Sequence, residues 1–346
     1  MKAAVFEAVG EPLHIENIPE PEPQPTDLIL AVKACGICGS DLHMSQVCDN
    51  TGGARPLPRG AVMGHEFAGE VVEVGSAVKG DWSVGERVAA LPFIGCGRCA
   101  ACLTGHGRRC PEVIYSGLGQ LHGAYAEYVR VGAGESLRLP DSVSYREGAM
   151  VEPLAVGLHA VRAAKLQPGD SVLVVGAGPV GLSVALWCRI FGARHVIVSD
   201  LADGRVKMAA KVGATDGIDA SRENVIGRAK QIAGGRPPVV FDCVGVPGSQ
   251  QICMDYAPAD GRVVVVGVCM QPDRTLPIKA ITKELQVNYV FMYERADFEL
   301  TIEMLARRRA DPLAMLTGAV GFDAFPTAFE SLRTPGDQCK VMLEPD

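Results

Sequence analysis

Cysteines carry the first chemical signal in this chain. Cys96, Cys99, Cys102 and Cys110 are spaced C-x2-C-x2-C-x7-C. Four thiolates in so short a stretch can wrap one tetrahedral zinc ion, and the spacing reads as a structural zinc lobe. An iron–sulfur cluster or free thiols are the alternatives. A closed shell of four sulfurs has no open position, so a metal there would fold a lobe and do no chemistry. Upstream, Cys35, Cys38, Ser40, Asp41 and His43 crowd together, and Gly64, His65 and Glu66 follow in a row. Taken singly, Cys38 reads as a core thiol, His65 as a satisfied histidine, Glu66 as a surface acid and Glu152 as a helix N-terminal acid. Spacing alone does not join them.

The second signal is the stretch 172–200. A β-branched run ends in Gly176-Ala-Gly178-Pro179-Val180-Gly181, a helical pattern follows, and a second β-branched run ends in Asp200. Gly176 suits a sharp turn off a strand, Gly178 lets backbone approach a pyrophosphate, and Gly181 lets the helix pack close to the sheet. The helix N-terminus offers unpaired N–H groups to a phosphate, and Pro179 fits its first turn. Asp200 can accept hydrogen bonds from an adenosine ribose. The plainer alternative, a glycine-rich turn in another parallel-sheet protein, leaves Asp200 unexplained. A carboxylate there repels a 2′-phosphate, so NAD is expected over NADP. Arg205 either neutralises such a phosphate or, as is more usual, covers the adenine. The run 171–188 is nearly free of charge, but its glycines and Pro179 interrupt it, and Asp170 and Arg189 flank it. It reads as a buried strand and helix, not a membrane span.

These residues need a scaffold of two kinds. The first part is β-rich and punctuated by glycine, with strands expected at 3–6, 28–34, 70–75 and 81–89, and a stiff proline turn at 19–25. From Asp170 the pattern alternates. A helix is expected over 205–212 and strands at 239–242 and 263–267, which implies a parallel sheet covered by helices. A last helix is expected over 299–309, and the remaining chain returns to the first part. A length of 346 residues suits two domains. The net charge of −7, with no basic cluster, argues against nucleic acid and membrane partners. No basic n-region precedes an apolar run at the start, so a cytoplasmic protein is expected. Cys188, Cys243, Cys253 and Cys269 fall in apolar patterns and read as core thiols.

The order Cys38…Ser40-Asp41, Gly64-His65-Glu66, the four-cysteine stretch, Glu152-Pro-Leu-Ala-Val and the glycine fingerprint resembles the zinc-dependent medium-chain alcohol dehydrogenases, over essentially the whole chain. The resemblance implies an α/β protein with a GroES-like β-rich catalytic domain, 1–153 and 291–346, carrying a zinc lobe near 95–111. A Rossmann domain, 154–290, is inserted in it. It joins Cys38, His65, Glu66 and Glu152 as a catalytic zinc set, giving two zinc ions per subunit. Glutamate at 152, where the family's best-described members carry cysteine, resembles the sorbitol, threonine and butanediol dehydrogenase branch. In that branch either Glu66 or Glu152 completes the metal sphere. The resemblance assigns Ser40 and His43 to proton relay, Asp41 to orienting a ligand, and Val244 and Val268 to the dinucleotide.

The expected reaction is hydride transfer between a secondary alcohol or polyol, or the matching ketone, and NAD. A zinc-free quinone or enoyl reductase, a non-catalytic NAD(H) sensor and a zinc-lobe nucleic-acid binder are the alternatives. Phe93, and more weakly Tyr115, Leu118 and Phe291, are candidate pocket residues, and 44–59 fits either a loop over the site or a surface insertion. The family implies a homodimer or homotetramer, with the strand at 263–267 and the residues after it as the interface.

Overall fold

The computed structural model describes residues 1–49, 55–334 and 336–345. Two sheets dominate. The parallel one has six strands in the order Asp216–Asp219, His195–Asp200, Ser171–Val175, Val239–Asp242, Arg262–Val265 and Gln286–Tyr289. Its β-branched strands are buried on both faces; Val172, Leu173, Val174, Val239, Val240, Val263 and Val264 have no exposed surface. This is a doubly wound sheet whose strand order reverses between Ser171–Val175 and Val239–Asp242. A crevice opens there at the carboxyl ends of the strands. The helix Pro179–Ile190 follows the first strand as expected, and Trp187 anchors it by donating to the Leu154 carbonyl at 2.8 Å.

The second sheet has seven strands, with Asp27–Gly36 at its centre. It pairs with Glu66–Val74, with Tyr128–Gly132 and, antiparallel, with the C-terminal strand Lys340–Leu343. The chain end therefore returns to the first part, as expected. A small sheet of His14–Asn17, Lys2–Phe6 and Ala61–Val62 completes the β-rich part. Two glycines permit close approaches around Gly64-His65-Glu66. A Cβ on Gly36 would stand 2.2 Å from a Glu66 carboxylate oxygen, and one on Gly64 would stand 2.6 Å from the Tyr125 ring. The helix Val151–Ala163, which begins beside Glu152, packs against Pro179–Ile190 and against the later helix Arg295–Ala306, so one core runs between the two sheets.

Several expected boundaries shift. The strand expected at 81–89 is Arg87–Ala90; Trp82 lies outside it, with the Arg138 guanidinium 4.1 Å above its ring. The helix expected at 205–212 is Asp203–Ala209. The last helix starts earlier than expected because Glu294 and Asp297 form a capping box at its N-terminus, and it ends at Ala306. Of the segment expected as an interface, the strand Arg262–Val265 is paired on both sides within its own sheet, and the residues after it lead to the edge strand Gln286–Tyr289. Among the core thiols, Cys188 and Cys253 are fully buried, whereas Cys243 and Cys269 are half-buried. No helix among the described residues is long and apolar enough to cross a membrane. Of the stretch 44–59, residues 50–54 lie outside the described residues.

Candidate active site

Cys38, His65 and Glu66 come together from two separate elements. Cys38 caps the short helix Gly39–Met44, while His65 and Glu66 stand at the start of the strand Glu66–Val74. One ligand atom from each lies within 4.8 Å of the others. Asp41 is 2 % exposed, and its Oδ1 lies 3.1 Å from His65 Nδ1. That contact leaves Nε2 for the side of Cys38 and Glu66 and sets the imidazole in the orientation a metal ligand needs. Burial pushes the Asp41 carboxyl up, but the His65 charge and the donors His65, Tyr125 and Cys38 N–H outweigh it and hold it below the usual carboxylate range. Burial opposes a charge on His65, yet Asp41 and Cys38 raise its pKa well above normal. A sulfur, an imidazole and a carboxylate oxygen are donor types that zinc takes, and the Asp41 carboxylate behind the imidazole strengthens it as a ligand, so the set fits zinc.

Glu152 is buried, but it does not join the three within that distance. Its carboxyl is pushed up to about 7, mainly by burial, with His65 opposing and Glu66 adding to the shift. The Tyr293 hydroxyl faces it closely enough for each to perturb the other, yet makes no hydrogen bond of good geometry. That hydroxyl has no exposed surface and is an orphaned polar group aimed at the site. Both Glu66 oxygens are held by Lys340 Nζ, at 2.7 and 2.5 Å, and both side chains are 1 % exposed. Neither Lys340 nor Tyr293 was recognised from sequence. Lys340 did leave a signal, a lone charge opening the apolar strand Lys340–Leu343.

Ser40 and His43 lie one turn apart on Gly39–Met44. The Ser40 hydroxyl donates to Cys38 Sγ at 3.3 Å, and His43 is exposed. Phe93 is 3 % exposed; it packs edge-on to Tyr115 with ring centroids 6.3 Å apart and lies beneath Gly107, so it is core to the cysteine lobe. Leu118 and Phe291 are exposed, and the half-buried Tyr115 donates to the Arg108 carbonyl.

The four lobe sulfurs also converge within 4.8 Å. Backbone donors at Arg98 and Cys99 lower Cys96 to about 7, whereas burial and neighbouring sulfurs push Cys102 up to about 12. Four such thiols cannot all ionise without a cation among them, so this cluster also fits zinc. Arg108 and His106 tie the lobe to Glu294 at 2.8 and 3.1 Å.

At the crevice, Gly176 adopts φ +98°, and a Cβ on Gly181 would stand 1.9 Å from the Gly176 carbonyl oxygen. Among the described residues, nothing lies within 4 Å of the position a Gly178 Cβ would take, and no side chain caps the helix there. The backbone cradle expected for a pyrophosphate is open. Pro179 and Val180 begin the helix above it. Asp200 accepts from Ala177 N–H at 2.7 Å and from Ala202 N–H at 2.9 Å, which fixes its carboxylate beside the glycine turn. Arg205 instead donates to the carbonyls of Gly336 and Gln338, at 3.0 and 3.3 Å. Val244 and Val268 are exposed where the turns after two neighbouring strands abut through Gly245 and Gly267.

A doubly wound sheet with this turn, joined to a β-rich part carrying two groups of zinc-type donors, defines a metal-dependent nicotinamide dehydrogenase. Residues 24–141 match the alcohol dehydrogenase GroES-like domain family, and residues 179–307 match the zinc-binding dehydrogenase family. The chain is 34 % identical to a sorbitol dehydrogenase of Bacillus subtilis, over all of this chain and 98 % of that protein. It superimposes on 2R,3R-butanediol dehydrogenase from Bacillus subtilis with a TM-score of 0.87 at 31 % identity, covering 100 % and 99 % of the two chains. It also superimposes on a zinc-binding dehydrogenase from Sinorhizobium meliloti bound to NADP, with a TM-score of 0.88 at 31 % identity and 99 % of each chain covered. The chain belongs to the zinc-dependent medium-chain alcohol dehydrogenase family, in its sorbitol dehydrogenase-like branch. It is an oxidoreductase acting on the CH–OH group of alcohols or polyols.

Proposed function

We propose that Cys38, His65 and Glu66 hold the catalytic zinc of an NAD-dependent secondary alcohol or polyol dehydrogenase, with Glu152 at its outer edge. The observation that carries this reading is the convergence of the three donors beside a buried Tyr293 hydroxyl that has no hydrogen bond of good geometry among the described residues. Zinc supplies Lewis acidity toward a substrate oxygen, and the dinucleotide accepts or returns the hydride. The chain's own residues do the rest. Asp41 orients His65. Tyr293 and Glu152 offer a donor and a proton-exchanging carboxyl to substrate hydroxyls. Ser40 takes the alcohol proton, and His43, one helical turn away and open to solvent, releases it. Lys340 neutralises Glu66 and thereby sets its availability to a metal. Cys96, Cys99, Cys102 and Cys110 hold a second, structural zinc.

Asp200 favours NAD over NADP, since its fixed carboxylate faces the place of a 2′-phosphate. The Arg205 cation, engaged by two carbonyls, does not offset it. Zinc-type donors at both positions disfavour the zinc-free reductase. The domain division at 1–153 with 291–346 and at 154–290, and a cytoplasmic homo-oligomer, belong to the same reading. The sheet edge Gln286–Tyr289 supports the oligomer, because Leu276, Ile278, Ile281, Tyr289 and Phe291 near it are each more than half exposed.

The test is NADH formation with 2,3-butanediol, sorbitol, threonine and an aryl secondary alcohol, with and without a zinc chelator, repeated with NADP. Chelator-sensitive turnover with NAD is expected. Turnover that survives complete metal removal would refute the role of Cys38 and His65.

A further inference from the structure

His65 is held by more than its carboxylate partner. The far oxygen of Asp41, Oδ2, accepts from the Tyr125 hydroxyl at 2.5 Å and from Cys38 N–H at 3.3 Å. Tyr125 has no exposed surface. Its backbone N–H donates to the Met63 carbonyl at 2.9 Å, which lays it alongside the chain that leads into His65. The ring occupies the space left free by Gly64. Its other neighbours are Phe325 and Phe329, with centroids at 4.7 and 6.2 Å, both from the C-terminal helix Phe325–Ser331. The ring is therefore walled in, and among the described residues its hydroxyl hydrogen-bonds to Asp41 and, at 3.4 Å, to the Gly36 carbonyl.

The geometry of Asp41 follows from these contacts. A carboxylate rotates about one bond, so a single contact from His65 would leave its plane free. Donors on Oδ2 fix that plane and with it the direction in which Oδ1 meets His65 Nδ1. We propose that Tyr125 is a positioning residue for the catalytic metal, acting through Asp41 on His65. The inference rests on the reading of Cys38, His65 and Glu66 as zinc ligands. The expected loss on removing such an outer partner is about 10- to 100-fold in metal affinity.

Zinc release to a chromophoric chelator tests it, with the four-cysteine lobe as internal control. The wild-type protein should release its two zinc ions in separate phases. In Y125F, which keeps the ring and deletes the hydroxyl, the catalytic phase should quicken about 10- to 100-fold while the lobe phase stays unchanged. D41N should quicken the same phase, and adding Y125F to it should change little more, because both act along one line of contacts. F329L, which loosens the wall but keeps the hydroxyl, should lower thermal stability without altering the catalytic phase. Should Y125F fail to fold, F329L and D41N decide: the proposal falls if F329L quickens the catalytic phase as much as D41N. It also falls if Y125F leaves that phase at the wild-type rate, or if both phases quicken together. Wild-type protein holding zinc in the lobe alone would overturn the underlying reading, and the proposal with it.

Discussion

Lys340→Met is the sharpest test of how the site is built. Lys340 and Glu66 are each 1 % exposed, and the ammonium touches both carboxylate oxygens and the Ile37 carbonyl. At 2.7 Å and an effective dielectric constant near 20, their attraction is about 6 kcal/mol, and part of it offsets desolvation. Breaking a buried pair by removing one partner costs about 3–5 kcal/mol, because the other charge is left stranded. Urea unfolding of chelator-treated K340M at pH 7 measures this. K340M/E66Q, with no stranded charge, should recover most of the loss, and zinc should reduce it by lending Glu66 another cation. A penalty below about 1 kcal/mol at pH 7 would refute the reasoning.

Glu152, with its carboxyl raised to about 7 by burial, binds a proton in the folded metal-free chain at pH values where the unfolded chain has lost it. Relative to E152Q, metal-free wild type should therefore lose roughly 3 kcal/mol of stability as pH rises from about 4.5 to about 7; a constant difference between the two would contradict the assignment. Y293F removes a buried hydroxyl that has no hydrogen bond of good geometry among the described residues, so folding stability should hold or rise by about 1 kcal/mol. In the same variant kcat/KM for a secondary alcohol should fall about tenfold or more, and the opposite pattern in stability and kinetics would make Tyr293 a packing residue. Y289K places a charge on the exposed edge strand and should shift the assembled protein to smaller species in light scattering; an unchanged mass would remove that edge from the interface.

The local motifs were legible because their parts lie close in sequence. The four-cysteine cluster spans a few turns of chain, and the glycine fingerprint is one strand, one turn and one helix, so spacing and chemistry suffice. The parallel sheet was legible from β-branched runs that need cover on both faces. Boundaries set by unfamiliar caps were not, as at Glu294 and Asp297, where two acids replace the more usual hydroxyl-led box. Phe93 shows a different limit: an aromatic beside a cysteine cluster suits a pocket or a core equally until the position of Gly107 is known.

The sequence by itself determined which residues could bind zinc and a dinucleotide, because donor atoms and glycines are properties of residue type. The tertiary structure decided what each donor meets. Lys340 reaches Glu66 across 274 positions of chain, and Tyr125 reaches Asp41 across 84. Such pairs leave no periodic trace, since their partners are chosen by how strands and helices pack. The same packing buries Glu152 and Tyr293 together, pairs Arg262–Val265 on both sides and turns Arg205 toward the C-terminal segment. In the low-dielectric interior these meetings set charge and proton affinity, which residue type alone cannot fix.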